Sequence, residues 1–223
     1  MLSTADIFHT VITSIEVFNI TLLFAGLVTW KYVPKNFKWI AIYAISIAPC
    51  IALNYFASYG LGFNNRFLHH IFLHSDFLLF SLFFHSTLNN IGQKKSVVVF
   101  AVIYTLCAVL DYAFLESFWT DNPDNLFFIT QSWMLILCLL TYYQIYTEGK
   151  IIQLGRSALF WIVTALFFYH STSFFLNVTN NLWSYNVDLN LYMYFIQNIL
   201  WFIYVVMLLN FFRLIYIQRN PNK

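Results

Sequence analysis

The chain has 223 residues, 61% of them hydrophobic, 22% aromatic and only 9% charged, with a formal net charge of +2. So apolar a composition excludes an ordinary water-soluble domain. A charge this small and scattered also excludes a basic face for nucleic acid, which leaves an all-α protein whose solvent is lipid.

A bilayer core about 30 Å thick requires about 20 mostly apolar residues in a helix. Polar punctuation cuts the chain into seven such pieces, predicted at residues 7–32, 37–58, 67–89, 96–118, 125–146, 157–176 and 191–217. The first carries Glu16 and Asn19. It follows MLSTADIFHT, which lacks the basic start of a signal peptide, so the span is expected to be retained. The second contains Pro49, which deletes a backbone donor and is expected to kink it. The third reads FLHHIFLHSDFLLFSLFFH and holds His69, His70, His74, Asp76 and His85 in an otherwise oily run. Asp111 lies in the fourth span, Gln131 in the fifth, His170 and Ser173 in the sixth, and Gln197 and Asn198 in the seventh.

The separators, from KYVPKNFK to NVTNNLWSYNVDLN, supply the Gly, Pro, Asn and charge that end helices. They are short, so neighbouring helices should run antiparallel and the whole chain, 1–223, should form one seven-transmembrane-helix bundle. Lys31, Lys35, Lys38, Lys94, Lys95, Lys150, Arg156, Arg213, Arg219 and Lys223 fall at alternate loops and at the C-terminus, with Arg66 the exception. The excess of basic residues marks the cytoplasmic side, which gives an N-terminus outside and a C-terminus in the cytoplasm. Cys50, Cys107 and Cys138 all fall inside apolar runs and read as small buried hydrophobes.

An ionisable group at bilayer depth is costly unless it has a partner or faces water. At about 1.5 Å per residue, the polar residues of six spans come to one slab in the outer half of the membrane. The expectation is a pocket there, with Glu16, Asn19, His74, Asp76, Asp111, Gln131, His170, Ser173, Gln197 and Asn198 as its ligand-binding residues. Asp76 and His74 are two positions apart, about 200° around a helix, so one pocket does not easily hold both.

His70 and His74 also have the i, i+4 spacing of two metal ligands, which His170 could complete. The competing reading has each imidazole bonding across the bundle. His170 cannot activate its neighbour Ser171 within one helix, so a serine nucleophile is not indicated. The seventh span has no lysine, which excludes a retinal Schiff base.

The stretches HHIFLHSDFLLFSLFF, SWMLILCLLTYYQIY and ALFWIVTALFFYHSTSFFL resemble a family of small seven-helix membrane proteins of Bacteroidota-type bacteria. That family's His-x-x-x-x-x-Glu pattern would fall on His70 and Asp76, with Asp in place of Glu, and its Leu-Phe-Trp on Leu159, Phe160 and Trp161. His74 and His170 depart from the pattern. Members often accompany sensor kinases and response regulators, so the resemblance implies signalling by analogy.

These readings favour a sensory membrane protein over an enzyme. A small molecule or membrane lipid would occupy the outer pocket, and a sensor kinase or another membrane subunit would read the result. The alternatives are a metal-dependent intramembrane enzyme acting on lipid, and an accessory subunit of a membrane complex.

Overall fold

The computed structural model describes residues 18–62, 64–115, 117–119, 123–149, 153–179 and 187–219, and among these there is no strand. The helices are α1 (Phe18–Thr29), α2 (Lys38–Tyr55), α3 (Arg66–Thr87), α4 (Ile91–Phe114), α5 (Asp124–Glu148), α6 (Ala158–Val178) and α7 (Val187–Arg219). The six from α2 to α7 are long and apolar enough to cross a membrane, the signature of a multi-pass protein. Outward-facing residues fit that solvent. On α4, Val98, Val102, Leu106, Val109 and Leu110 are exposed along one stripe, an area of oil that a water-soluble surface would not carry.

Several helix limits differ from the expected spans for local reasons. The fourth helix begins at Ile91 rather than residue 96, because the Asn90 side chain accepts from the amides of Gly92 (2.7 Å) and Gln93 (3.4 Å) and caps the new turn. Lys94 and Lys95 therefore stand on the first turns of a helix rather than in a loop, and α4 ends at Phe114 rather than 118. The second helix stays helical through Pro49 and then widens into a π-helical turn, Phe56–Gly60. The seventh begins four residues earlier than expected, at Val187. Gly149, at φ +59°, closes α5 in the left-handed conformation that favours glycine. Of the first expected span, residues 7–17 lie outside the described residues, and the chain turns out of helix after Thr29.

The helices pack in chain order, α2 on α3, α3 on α4, α5 on α6 and α6 on α7. The row closes through α1, which reaches α7 by an edge-on contact of Phe18 with Phe202, ring centroids 4.5 Å apart. Gly26 lets α1 approach α2 closely: a Cβ there would lie 3.0 Å from Ile45 Cγ1 and 3.4 Å from the Ala41 carbonyl oxygen. Helix α3 is central, packing also on α5 and meeting α6 where the Phe80 and His170 rings cross at 5.9 Å.

Among the described residues the lysines and arginines other than Arg66 gather at the end of the bundle where α3, α5 and α7 finish. Most of the fully buried side chains belong to this half, among them Ile40, Phe83, Phe84, Leu137, Ile162, Leu208 and Phe211. The turns here are braced across the bundle. Gln144 accepts from the Asn89 amide (2.8 Å) and donates to the Thr87 carbonyl (3.4 Å), Ser86 donates to the Asn36 carbonyl (2.9 Å), and Gln218 donates to the Arg156 carbonyl (2.7 Å).

Candidate functional site

At the opposite end, α2, α3, α5, α6 and α7 surround a cavity of about 880 Å³. Its walls run from the middle of α2 and the last turn of α6 to the first turns of α5 and the first three to five turns of α3 and α7, which is the alternation that antiparallel neighbours produce. Asp76 and Phe72 of α3 face Ser46 and Cys50 of α2, with Gln197 and Trp201 of α7. Asp124 and Phe127 of α5 and Asn177 of α6 complete the ring. Among the described residues no lysine or arginine lines it.

Asp76 is the group that stands out chemically. Among the described residues no side chain or backbone donor makes a hydrogen bond to its carboxylate, although it sits well inside a membrane-length helix. Its electrostatic neighbours are the phenols of Tyr43, Tyr169 and Tyr204. These rings form an aromatic layer with Trp201: Tyr169 stacks on Tyr204 at 4.8 Å, and Trp201 meets both at 5.2 and 5.3 Å. Trp201 is held in place by its indole N–H, which donates to Asn19 Oδ1 at 3.1 Å. Asn19 thus supports the cavity wall from α1 without lining the cavity.

The other face of α3 carries a separate network. His70 Nδ1 lies 3.1 Å from the Tyr112 hydroxyl, that hydroxyl also meets His74 Nε2, and His74 Nδ1 lies 2.9 Å from the Tyr104 hydroxyl. A neutral imidazole offers one donor and one acceptor, and a phenol can do both. The chain can therefore be satisfied with its protons pointing either way along it. Both ring nitrogens of His74 are engaged by tyrosines. His170 pairs instead with Gln131 between α5 and α6. Among the described residues no three His, Cys, Asp or Glu side chains gather as a group that could hold a metal ion.

The predicted site residues are thus divided among several places. Asp76 and Gln197 line the cavity. His74 belongs to the α3–α4 network. Asp111 is buried between α4 and α5, accepting from Asn125 Nδ2 at 3.1 Å, and its second oxygen has no partner among the described residues. His170 and Ser173 are buried on one face of α6, and His170 Nε2 has no partner among the described residues. Asn198 donates to the Tyr194 carbonyl of its own helix at 2.8 Å. Glu16 lies outside the described residues. His70 and Asp76, the pair on which the family resemblance rests, face different sides of α3, one toward α4 and the other toward the cavity.

Sequence reasoning did not single out Trp201, Phe72, Cys50 or Ser46 as cavity walls, nor the tyrosine partners of the histidines. In a chain with 15 Tyr, 26 Phe and 7 Trp, residue identity carries no signal for these positions. Depth does: His74 lies about fifteen residues before the turn between α3 and α4, and Tyr104 about fifteen after it, so antiparallel helices bring them level.

Compared with known proteins, the chain matches no family model, no curated protein and no solved structure.

Proposed function

We propose that this is a sensory seven-helix protein of a bacterial inner membrane, with its N-terminus outside and its basic end in the cytoplasm. On this reading the cavity lies in the outer half of the bilayer and takes a small molecule or a lipid. The observation that carries it is the 880 Å³ cavity itself, ringed by five helices and holding a carboxylate that no donor among the described residues pairs. Its volume falls within the roughly 300–1,000 Å³ of small-molecule pockets, and its walls follow the same rule of apolar lining with few polar groups.

Occupancy would act on the walls. Five helices meet the ligand, and two of them, α2 and α7, also meet at the basic end, where Phe37, just ahead of α2, contacts Phe211 edge-on at 5.5 Å. A ligand that binds one arrangement of these helices better than another shifts their populations by its differential affinity. The short basic turns, including Lys94 and Lys95 on α4, would present the change to a sensor kinase or another membrane subunit, since these helices leave no effector domain among the described residues.

The test is to purify the protein from its own membrane under mild conditions and identify by mass spectrometry what is released on denaturation. A small molecule or enriched lipid should accompany the wild type and be reduced at least several-fold in a Ser46→Phe variant, whose ring projects from the α2 wall into the cavity. Equal recovery from a folded Ser46→Phe protein would remove the cavity as the binding site.

A further inference from the structure

We infer that the occupant of this cavity is an amphipathic organic cation, its ammonium group on Asp76 and its apolar body against Phe72, Phe127 and Trp201. The inference rests on the ligand-binding reading above and names the chemistry of the ligand.

The first argument is charge. Among the described residues the cavity's lining includes two carboxylates, Asp76 and Asp124, one imidazole, His69, and no lysine or arginine. Asp124, the first residue of α5, is exposed and can meet water. Asp76 is deeper, in the third turn of α3, and no protein donor among the described residues bonds to it. A carboxylate removed from water without a partner is strongly unfavourable, and a charged group in a membrane span is ordinarily paired or set in a cavity for a purpose. An anionic ligand would add repulsion, and a purely apolar one would leave the carboxyl group without a hydrogen-bond partner.

The second argument is shape. A bare inorganic cation would leave most of an 880 Å³ space unfilled, and the single deep carboxylate supplies only half the charge that a hard divalent ion needs. An organic body is needed to exclude the remaining volume. The third argument is the aromatic wall. Indole and phenyl faces attract an ammonium ion through the ring quadrupole. Trp201 is suited to this because its N–H is already committed to Asn19, which fixes the ring plane. The ammonium could belong to a free amine or to the headgroup of phosphatidylethanolamine. Both present the same donor to Asp76.

The experiment uses the full chain in detergent micelles and three probes of matched size: 4-phenylbutylammonium, 4-phenylbutanol and 4-phenylbutyrate. The ammonium should raise the unfolding temperature by about 5 °C at saturating concentration, and the other two by much less. Asp76→Asn should abolish the shift and Asp76→Glu should retain part of it. Should Asp76→Asn fail to fold, Ser46→Phe, which leaves the charge untouched, should abolish the shift as well. A parallel arm in nanodiscs compares phosphatidylethanolamine with phosphatidylglycerol. Stabilisation by the former that requires Asp76 identifies the lipid headgroup as the source, and stabilisation by the amine alone identifies a free ligand. Equal shifts with alcohol and ammonium, or an ammonium shift that survives Asp76→Asn, would overturn the cation while leaving the cavity as a binding site. No shift with any probe or lipid would overturn the cation, and if mass spectrometry also recovers nothing the binding reading falls with it.

Discussion

The two ends of the bundle are built from the same kinds of residue and differ in how completely they fill space. At the basic end the helices converge on Phe83, Phe84, Leu137, Leu208 and Phe211, all without measurable exposure, and side-chain amides tie the turns together. At the other end the same helices separate around a cavity. The polar groups there are mostly matched in pairs between neighbours: Asn19 with Trp201, Gln131 with His170, Asn125 with Asp111. Such a molecule has a close-packed base and an open top. Substitutions of identical chemistry should therefore have unequal effects depending on the end that they strike.

Leu137→Ala should have the largest effect. This side chain is fully buried in the basic half, and a truncation in close-packed surroundings loses its contacts and leaves a void, about 3–5 kcal/mol. Reversible unfolding in mixed micelles would measure it. A loss below about 1 kcal/mol would show that this end is not the rigid base that its packing indicates.

Gln144→Ala comes next. The amide serves two backbone groups in the turn after α3, accepting from Asn89 and donating to Thr87. Removing it leaves the carbonyl of buried Thr87 and the amide of exposed Asn89 without this partner, with an expected cost of about 1–2 kcal/mol. Gln144→Glu keeps the acceptor for Asn89 and should lose less than the alanine variant if the Asn89 bond dominates. The same unfolding assay ranks the two.

The sequence carried the first half of this comparison more clearly than the second. The six long apolar helices and the basic end follow from hydropathy and charge placement. The opposition of His74 and Asp76 follows from two positions on one helix, and the structure separates them accordingly, one on Tyr104 and Tyr112 and the other in the cavity. Which partner each polar residue takes could not be read, because equal depth on six helices leaves several neighbours within reach. Gln131 with His170 and Asn125 with Asp111 are decided by helix rotation, which depends on packing throughout the bundle. The start of α4 was legible in principle, since Asn90 is a favoured N-cap residue. It was hidden because NNIGQKK also has the composition of a turn.

Leu79→Ala is the smallest effect expected and the most direct test of the contrast with Leu137. Leu79 lines the cavity and is half-buried, so one side of it already borders open space. Truncation there forfeits contacts on the packed side only, and it enlarges an existing space rather than creating a void. The term that makes core truncations costly is thus largely absent, which leaves about 1 kcal/mol. The difference between the two leucine variants should therefore be about 2–4 kcal/mol for the same atoms removed. With a bound ligand the gap should narrow, because an occupant that fills the cavity gives Leu79 a packed neighbour on its open side. Measuring both variants with and without 4-phenylbutylammonium distinguishes an adaptable top from one that is merely loosely packed. An adaptable top makes the cost of Leu79→Ala rise on ligand binding while that of Leu137→Ala stays fixed.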